Sequence, residues 1–290
     1  MALTLNTNII SLKVQGNLNS ASKDMNTAIE RMTTGYRINC SMDDAAGYSI
    51  AVQMEADLGS YNVASDNTQI GSDMLTTLEG NYDLINGHFQ RIRELTEQAA
   101  NDTYGEDSRE AIEAEIIARL QEVSRIAKSC NYNGLYLMDG TVPTDGYNIQ
   151  VGIDGETTSR INLEADIFAD CTSTTIFGDL GIGTPTEVAE KCAGLNTGIK
   201  AYQMLTFIDQ AMANVSARVT TLGAAQNKLQ SAASSIEVAT INQTSSLSTI
   251  RDADIAEEST SYIQKQIIQN AAATLLSTAN QTPSIALDLI

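Results

Sequence analysis

The strongest periodic signal in the chain lies in residues 208–250, IDQAMANVSARVTTLGAAQNKLQSAASSIEVATINQTSSLSTI. Thirteen of its positions follow one another at alternating spacings of four and three through six heptads, and ten of the thirteen are apolar. Ordinary globular helices average about three turns, so a repeat of this length predicts a long coiled-coil helix. The positions are Ile208, Met212, Val215, Val219, Leu222, Gln226, Leu229, Ala233, Ile236, Thr240, Gln243, Leu247 and Ile250.

A joint and a last helix are predicted on the C-terminal side of this stretch. Arg251 and Asp252 interrupt the repeat, and Ala253 to about Leu276 is predicted to form the final helix. Its apolar residues are Ile263, Ile267, Ile268, Ala271 and Leu275.

The N-terminal segment carries a matching heptad stripe. Its members are Ile10, Val14, Leu18, Ala21, Met25, Ala28 and Met32. Gly35 is predicted to end this helix, because glycine readily adopts the left-handed conformation that closes many helices. Residues 36–39 are predicted to be a connector, and Asp43 or Asp44 an N-cap for a second helix that reaches about Ala100.

The second helix and a third one, from about Asp107 to Ser129, are also amphipathic. Both stripes recur at the spacing of a helix that buries one face. They comprise Leu75, Leu78, Tyr82, Ile85, Phe89, Ile92 and Ala99 in the second helix, and Ile112, Ile116, Leu120, Val123 and Ala127 in the third.

The middle of the chain changes to a period of two, which predicts a β-hairpin. Tyr147, Ile149, Val151 and Ile153 alternate with polar residues, as do Ile161, Leu163, Ala165 and Ile167, and Asp154-Gly155 between them is a turn signal. Residues 131–134, NYNG, predict a shorter hairpin. Cys171 to Lys191 has weak periodicity and is predicted to be a loop or small insertion.

The predicted fold is therefore mainly α: a long antiparallel helical bundle or coiled coil, formed by the N- and C-terminal segments, with small β-hairpins in the middle. Three parts are expected. Residues 1–43 and 252–290 form terminal helices, residues 44–170 and 197–251 form a helical core domain with the hairpins, and residues 171–196 form a short variable loop.

Charge and composition exclude several classes of protein. The formal net charge is −19 and the pI is about 4.2, which argues against nucleic acid and against an anionic membrane surface as partners. No apolar run approaches the ~20 residues that span a bilayer. No cleaved secretory signal is visible at the N-terminus.

Enzyme chemistry is not expected. The chain has one histidine, His88, no His-Glu-x-x-His, no Cys-x-x-Cys and no glycine-rich phosphate loop. We therefore predict no catalytic residues, no metal site and no cofactor. Apolar stripes at both chain ends instead indicate a partner surface. If the partner is another copy, the contact is heterologous and propagates into a helical filament.

Several motifs resemble those of one family. Ala28–Asn39 (AIERMTTGYRIN) is similar to "AIERLSSGLRIN", and others match "DDAAG", "QRVREL", "QFNG", "IQVG", "IEDADYATE" and "ANQxP". These lie at Asp43–Gly47, Gln90–Leu95, Asn131–Gly134, Ile149–Gly152, Arg251–Glu258 and Ala279–Pro283. Together they cover about the first 165 and the last 90 residues, in order, and the family they resemble is bacterial flagellin.

The resemblance implies a structural role in the bacterial flagellar filament, which serves swimming motility, and an extracellular location. The terminal helices would form the inner tube of the filament, and the short central insertion implies a thin, short-form flagellin. The resemblance also implies type III export, a chaperone that binds the C-terminal helix (about Asp252 to Ile290), and contacts with hook-associated and cap proteins. Two alternatives remain: a hook–filament junction protein, and a secreted monomeric adhesin or immune ligand.

The resemblance further implies recognition by Toll-like receptor 5. The family's receptor-binding residues match Arg91, Leu95 and Glu115 in this chain. Arg91 and Leu95 are four residues apart and share a helix face, although the same surface could serve subunit contacts alone.

Four cysteines depart from the family pattern. Cys40 and Cys130 are predicted to be small buried residues. Cys171 and Cys192 bracket the short insertion and would meet an oxidising environment after export. They form either a disulfide or two free thiols.

Overall fold

The computed structural model describes residues 8–171 and 198–287. In this part of the chain, five α-helices and two small antiparallel strand pairs confirm the predicted mainly α fold. In chain order the elements are α1 (Ile9–Thr34), α2 (Ala45–Ala100), α3 (Glu106–Ser129), β1 (Asn131–Tyr132), β2 (Leu135–Tyr136), β3 (Tyr147–Gln150), β4 (Arg160–Leu163), α4 (Gly198–Arg251) and α5 (Ile255–Leu287).

Both ends of α1 are closed by local hydrogen bonds. The Asn8 side chain accepts from the Ser11 backbone N–H at 3.0 Å, which satisfies one of the free donors of the first turn. Gly35 has φ 76°, and its N–H donates to the Arg31 carbonyl at 2.8 Å. The prediction that Gly35 ends the helix is confirmed.

Of the two predicted N-caps of α2, the structure selects Asp44. Its Oδ1 accepts from the backbone N–H groups of Ala46 and Gly47 at 3.1 and 3.0 Å. A Cβ at Gly47 would collide with the Asp44 carboxylate and approach Ile38 Cδ1 to 2.8 Å, so a larger residue here would have to displace the capping side chain. Asp43 instead accepts from the backbone of residues 39 and 40, and the Asn39 bond in particular lowers the pKa of its carboxyl.

One compact unit, Gly59–Thr240, contains the main core. The predicted stripes of α2 and α3 are buried throughout, and in α4 the buried residues are Met204, Ile208, Ala211, Val215, Leu222, Ala225, Leu229 and Ile236. Tyr82 is buried in this core and donates its hydroxyl to the Ile167 carbonyl at 2.7 Å. The periodic pattern therefore predicted correctly which helix faces form the core.

The short hairpin is confirmed. Asn131 pairs with Tyr136 and Tyr132 with Leu135. Asn133 and Gly134 both have positive φ, 48° and 84°, as a two-residue turn of the mirror-image type requires.

The longer hairpin is confirmed as a strand pair, but its predicted strands were too long. β3 and β4 pair in register from Tyr147–Leu163 to Gln150–Arg160, and the turn between them is longer than Asp154-Gly155. The second half of the predicted partner strand is a 3₁₀ helix, Ala165–Phe168. Ile167 and Phe168 are both buried, and a helical turn can bury two successive side chains, whereas a strand points them to opposite faces.

The second compact unit consists of Met1–Leu58 and Ile241–Ile290. It contains α1, α5 and the adjoining ends of α2 and α4. The prediction that the last helix ends near Leu276 was wrong, because α5 continues to Leu287. Contacts with α1 extend beyond the predicted end: Asn8 Nδ2 donates to the Ala279 carbonyl at 2.7 Å, and Ser11 Oγ donates to Asn280 Oδ1 at 2.8 Å.

The predicted division at residues 43 and 252 followed motifs rather than contacts, and it stays a prediction. The predicted insertion, residues 171–196, lies outside the described residues apart from Cys171. Among the described helices, none has an apolar stretch long enough to cross a bilayer.

Candidate functional surface of the paired terminal helices

The helices α1 and α5 pack side by side in opposite directions. Their contacts show the direction, because partners early in α1 lie late in α5. Arg31 pairs with Glu258 at 2.9 Å and Asp24 with Lys265 at 2.7 Å. Farther toward the N-terminus, Gln269 Nε2 donates to Ser22 Oγ at 2.9 Å.

The seam between the two helices is narrow and built from small residues. Among the described residues, its buried side chains are the alanines Ala21, Ala28, Ala272 and Ala279. Of the predicted α1 stripe, the residues from Val14 to Met32 are buried or half-buried here, whereas its first member, Ile10, is 54% exposed. This stripe is therefore used largely within the chain, and a different set of apolar residues remains uncovered.

Several large apolar side chains of the pair are 40–67% exposed, and those of α1 lie on more than one side of that helix. We call these residues the outward stripe; they are Ile9, Ile10, Leu12, Ile29, Ile255, Ile263, Ile267, Ile268 and Leu275. Four of the five residues predicted as the apolar face of the last helix belong to it. On α5, the exposed Ile263, Ile267 and Leu275 lie on one side of the helix, and an exposed apolar face of this kind indicates a site of protein association.

Charge is nearly absent from the C-terminal half of this surface. Between Ser259 and Gln281 the only charged residue is Lys265, and its ammonium is paired with Asp24 in the seam. Bringing another protein onto this part of α5 therefore leaves no unpaired charge to desolvate, which is the main penalty of burying polar surfaces.

A joint connects the helix pair to the ends of α2 and α4. Residues 35–37 run antiparallel to residues 251–253, with a β-bridge between Tyr36 and Asp252. The Arg37 N–H donates to the Arg251 carbonyl at 2.7 Å, and the Ala253 N–H donates to the Gly35 carbonyl at 2.9 Å. The sequence predicted a joint at Arg251-Asp252 but not this pairing with the other connector.

The Arg251 guanidinium lies at the centre of this joint. It stacks over the Tyr36 ring, with 4.2 Å from Cζ to the ring centroid, and it forms an ion pair with Glu55. Arg37 adds a further bond, from its Nη2 to the Ile250 carbonyl at 2.6 Å. Sequence reasoning missed these contacts because they join residues about 200 positions apart.

Of the three predicted receptor-binding residues, Arg91 and Glu115 lie close together at the surface, whereas Leu95 is buried. Arg91 donates to Glu94 at 2.7 Å, and its Nε lies 3.7 Å from Glu115 Oε1. Leu95 is 3% exposed and belongs to the core cluster. The shared helix face therefore carries one exposed cation beside a carboxylate, while the leucine packs inward.

The described cysteines have different environments. Cys130 is buried as predicted, but Cys40 is exposed, so its predicted burial was wrong. Cys171 is buried, and Arg218 Nη1 lies 2.9 Å from its sulfur. Burial raises the pKa of the Cys130 thiol to about 11, so it is protonated at neutral pH, and burial also raises the pKa of Cys171.

The predicted disulfide partner, Cys192, lies outside the described residues. The bond between Cys171 and Cys192 stays a prediction.

Comparison with known proteins gives a consistent result along the whole chain. Residues 5–142 match the model of the bacterial flagellin N-terminal helical region, and residues 205–290 match that of the C-terminal helical region. A flagellin of Listeria monocytogenes is 30% identical over 288 residues, covering 99% of each chain. A flagellin of Bacillus subtilis is 30% identical over 310 residues, covering 99% of this chain and all of its own.

The fold also occurs in solved structures. A putative flagellar hook-associated protein from Vibrio parahaemolyticus covers 72% of this chain and all of its own, with a TM-score of 0.61 and 14% identity. At that identity the likeness concerns the fold alone.

Proposed function

The chain belongs to the bacterial flagellin family and is a structural subunit of the flagellar filament, and we propose that it polymerises through the outward stripe of its paired terminal helices. It is not an enzyme. The observation that supports the proposal is the outward stripe itself: nine large apolar side chains, exposed in the single chain, beside a nearly uncharged helix surface.

The free energy gained by covering the outward stripe indicates how assembly proceeds. Covering nine half-exposed aliphatic side chains contributes about 1 kcal/mol each, or about 9 kcal/mol in total. Association costs about 4–15 kcal/mol in lost translational and rotational freedom. One pairwise contact is therefore marginal, and stable growth needs each added subunit to contact several neighbours at once, as the end of a helical filament allows.

Seeded growth of the purified protein tests this proposal. Long tubes seen by negative-stain electron microscopy are expected after filament fragments are added to monomer. Short capped rings would instead favour a junction protein, and monomers that persist above micromolar concentration would favour a secreted adhesin or immune ligand.

The same surface also suggests which other proteins of the flagellum bind this chain. An export chaperone that covers residues 252–290 would shield the outward stripe of α5 before secretion, and type III export would carry the chain to an extracellular filament. Within that filament the terminal helices would form the inner tube. Hook-associated and cap proteins would contact the two filament ends, where the stripes of the last subunits are uncovered.

Recognition by Toll-like receptor 5 is also proposed, with Arg91 and Glu115 as its exposed contacts. Replacing Arg91 by alanine is expected to lower signalling by purified monomer about tenfold or more, because charge-assisted contacts at an interface contribute about 1.5–3 kcal/mol. Receptor-reporter cells exposed to a concentration series of each variant measure the effect.

Lys128→Ala, which removes a different cation from the neighbouring helix α3, is the control and should signal as the wild type does. Leu95→Ala is unsuitable as a test of recognition, since truncating a buried leucine costs about 2–5 kcal/mol of stability. Unchanged signalling by Arg91→Ala would contradict the proposed contact.

A further inference from the structure

We propose that Arg251 is a positioning residue for polymerisation: its side chain locks the two connectors of the joint together, so that the α1–α5 pair is presented to neighbouring subunits in one fixed orientation. The inference deepens the proposed function and rests on it. The orientation that is fixed is that of the helix pair relative to the adjoining ends of α2 and α4, which lie in the same compact unit.

The joint is the place where the helix pair could pivot. The chain enters and leaves the pair through two short connectors, residues 35–44 and 252–254. The backbone bonds between residues 35–37 and 251–253 hold these connectors side by side. A bridge one residue long is a weak ladder by itself, since isolated strand pairs are marginal even when they are longer.

The Arg251 side chain adds a second contact to the α1 connector and a first contact to α2. Its ring partner, Tyr36, belongs to the connector that follows α1, and its ion-pair partner, Glu55, lies on α2. The backbone of Arg251 ends α4 and accepts from Arg37. A single residue therefore links α4, α2 and the α1 connector, and through Asp252 it leads directly into α5.

The burial of this guanidinium supports a positioning role. Its side chain is 17% exposed, and its Nε has no hydrogen-bond partner among the described residues. A largely buried charge contributes little net stability, because its desolvation offsets the attraction to its partner. What the planar group provides is geometry, since stacking and ion pairing together restrict it to one arrangement.

Fixed orientation affects assembly more than folding. A filament subunit repeats the same heterologous contact many times, so an angular error at each contact prevents regular growth. A pair that pivots freely must also lose that freedom when it is incorporated, which weakens each binding event. The core of the Gly59–Thr240 unit contains none of the residues of the joint, so loosening the joint leaves that core intact.

The experiment compares full-length variants in seeded polymerisation. Arg251→Ala is expected to raise the critical concentration about tenfold or more, equivalent to about 1.4 kcal/mol per added subunit. Arg251→Lys, which keeps the charge but not the planar stack, should recover part of the loss. Sedimentation gives the critical concentration, and far-UV circular dichroism with thermal melting reports on the monomer.

A second pair of variants separates positioning from folding. Tyr36→Ala removes the stacked ring and should raise the critical concentration, while Tyr36→Phe keeps the ring and should match the wild type. Monomers of all four variants should retain the helicity and the main melting transition of the wild type.

Three results would overturn the inference. Wild-type critical concentrations in both Arg251→Ala and Tyr36→Ala would overturn it, as would equal losses in Tyr36→Ala and Tyr36→Phe. A loss of assembly in proportion to lost monomer helicity would show a folding role and overturn it as well. Failure of the wild-type protein itself to polymerise would instead contradict the proposed function.

Discussion

A chain that lacks residues 1–35 or 255–290 is expected to form no filaments under conditions in which the full chain polymerises completely. Either deletion removes one helix of the α1–α5 pair, part of the outward stripe and the whole seam. The remaining terminal helix then has neither its intramolecular partner nor the pair geometry that a neighbour binds. Because isolated helices are marginal in water, that helix is expected to be largely unfolded.

The measurements separate loss of assembly from loss of the fold. Sedimentation and electron microscopy report on filaments, and thermal melting reports on the Gly59–Thr240 unit, whose core lies outside the deleted residues. The double deletion of residues 1–35 and 255–290 is the matched control. It leaves no exposed seam and should stay monomeric. The thermal unfolding of its Gly59–Thr240 unit should match that of the full chain. A singly truncated chain that grows normal filaments would contradict the assignment of the terminal helices.

The second large effect is expected from two substitutions in α5. Ile267→Asp combined with Leu275→Asp should raise the critical concentration about a hundredfold or more. The two side chains are 62% and 58% exposed in the single chain, so the monomer tolerates a carboxylate at either position. Covering an unpaired carboxylate by a neighbour costs several kcal/mol, and about 2.8 kcal/mol already corresponds to a hundredfold change.

Two controls make this result specific. Ile267→Leu combined with Leu275→Ile keeps the apolar area and should polymerise close to the wild type. Leu84→Asp introduces one carboxylate at a leucine of the other compact unit that is as exposed as Leu275, and it should have a smaller effect than Leu275→Asp alone. The monomer melting temperature should not change in any of these variants. Normal assembly of the double aspartate variant would exclude the outward stripe as the contact surface.

Local sequence signals predicted most helix boundaries correctly. Gly35 ends α1 through a conformation that glycine adopts without strain, and the end of α2 at Ala100 was predicted correctly. These local signals failed where contacts between residues far apart in the sequence determine the end or the type of an element. α5 extends beyond its predicted end because α1 contacts it as far as Asn280, and residues 165–168 form a 3₁₀ turn because two adjacent side chains are needed in the core.

The candidate surface was predicted only in part, and the reason is geometric. Periodicity shows that a helix has an apolar side, but it does not show which neighbour covers that side. The α1 stripe proved to be largely the seam of the helix pair, whereas most of the α5 stripe points outward. Leu95 likewise shares a motif with Arg91 and yet packs into the core.

The helical class, the position of the hairpins and the family could all be predicted from the sequence, because period, caps and ordered motifs are local properties of the chain. Which apolar residues remain exposed, and which connectors meet at Arg251, became visible only in the folded chain. Both depend on residues about 200 positions apart being brought together, and such pairings follow from the packing of whole helices rather than from any local pattern.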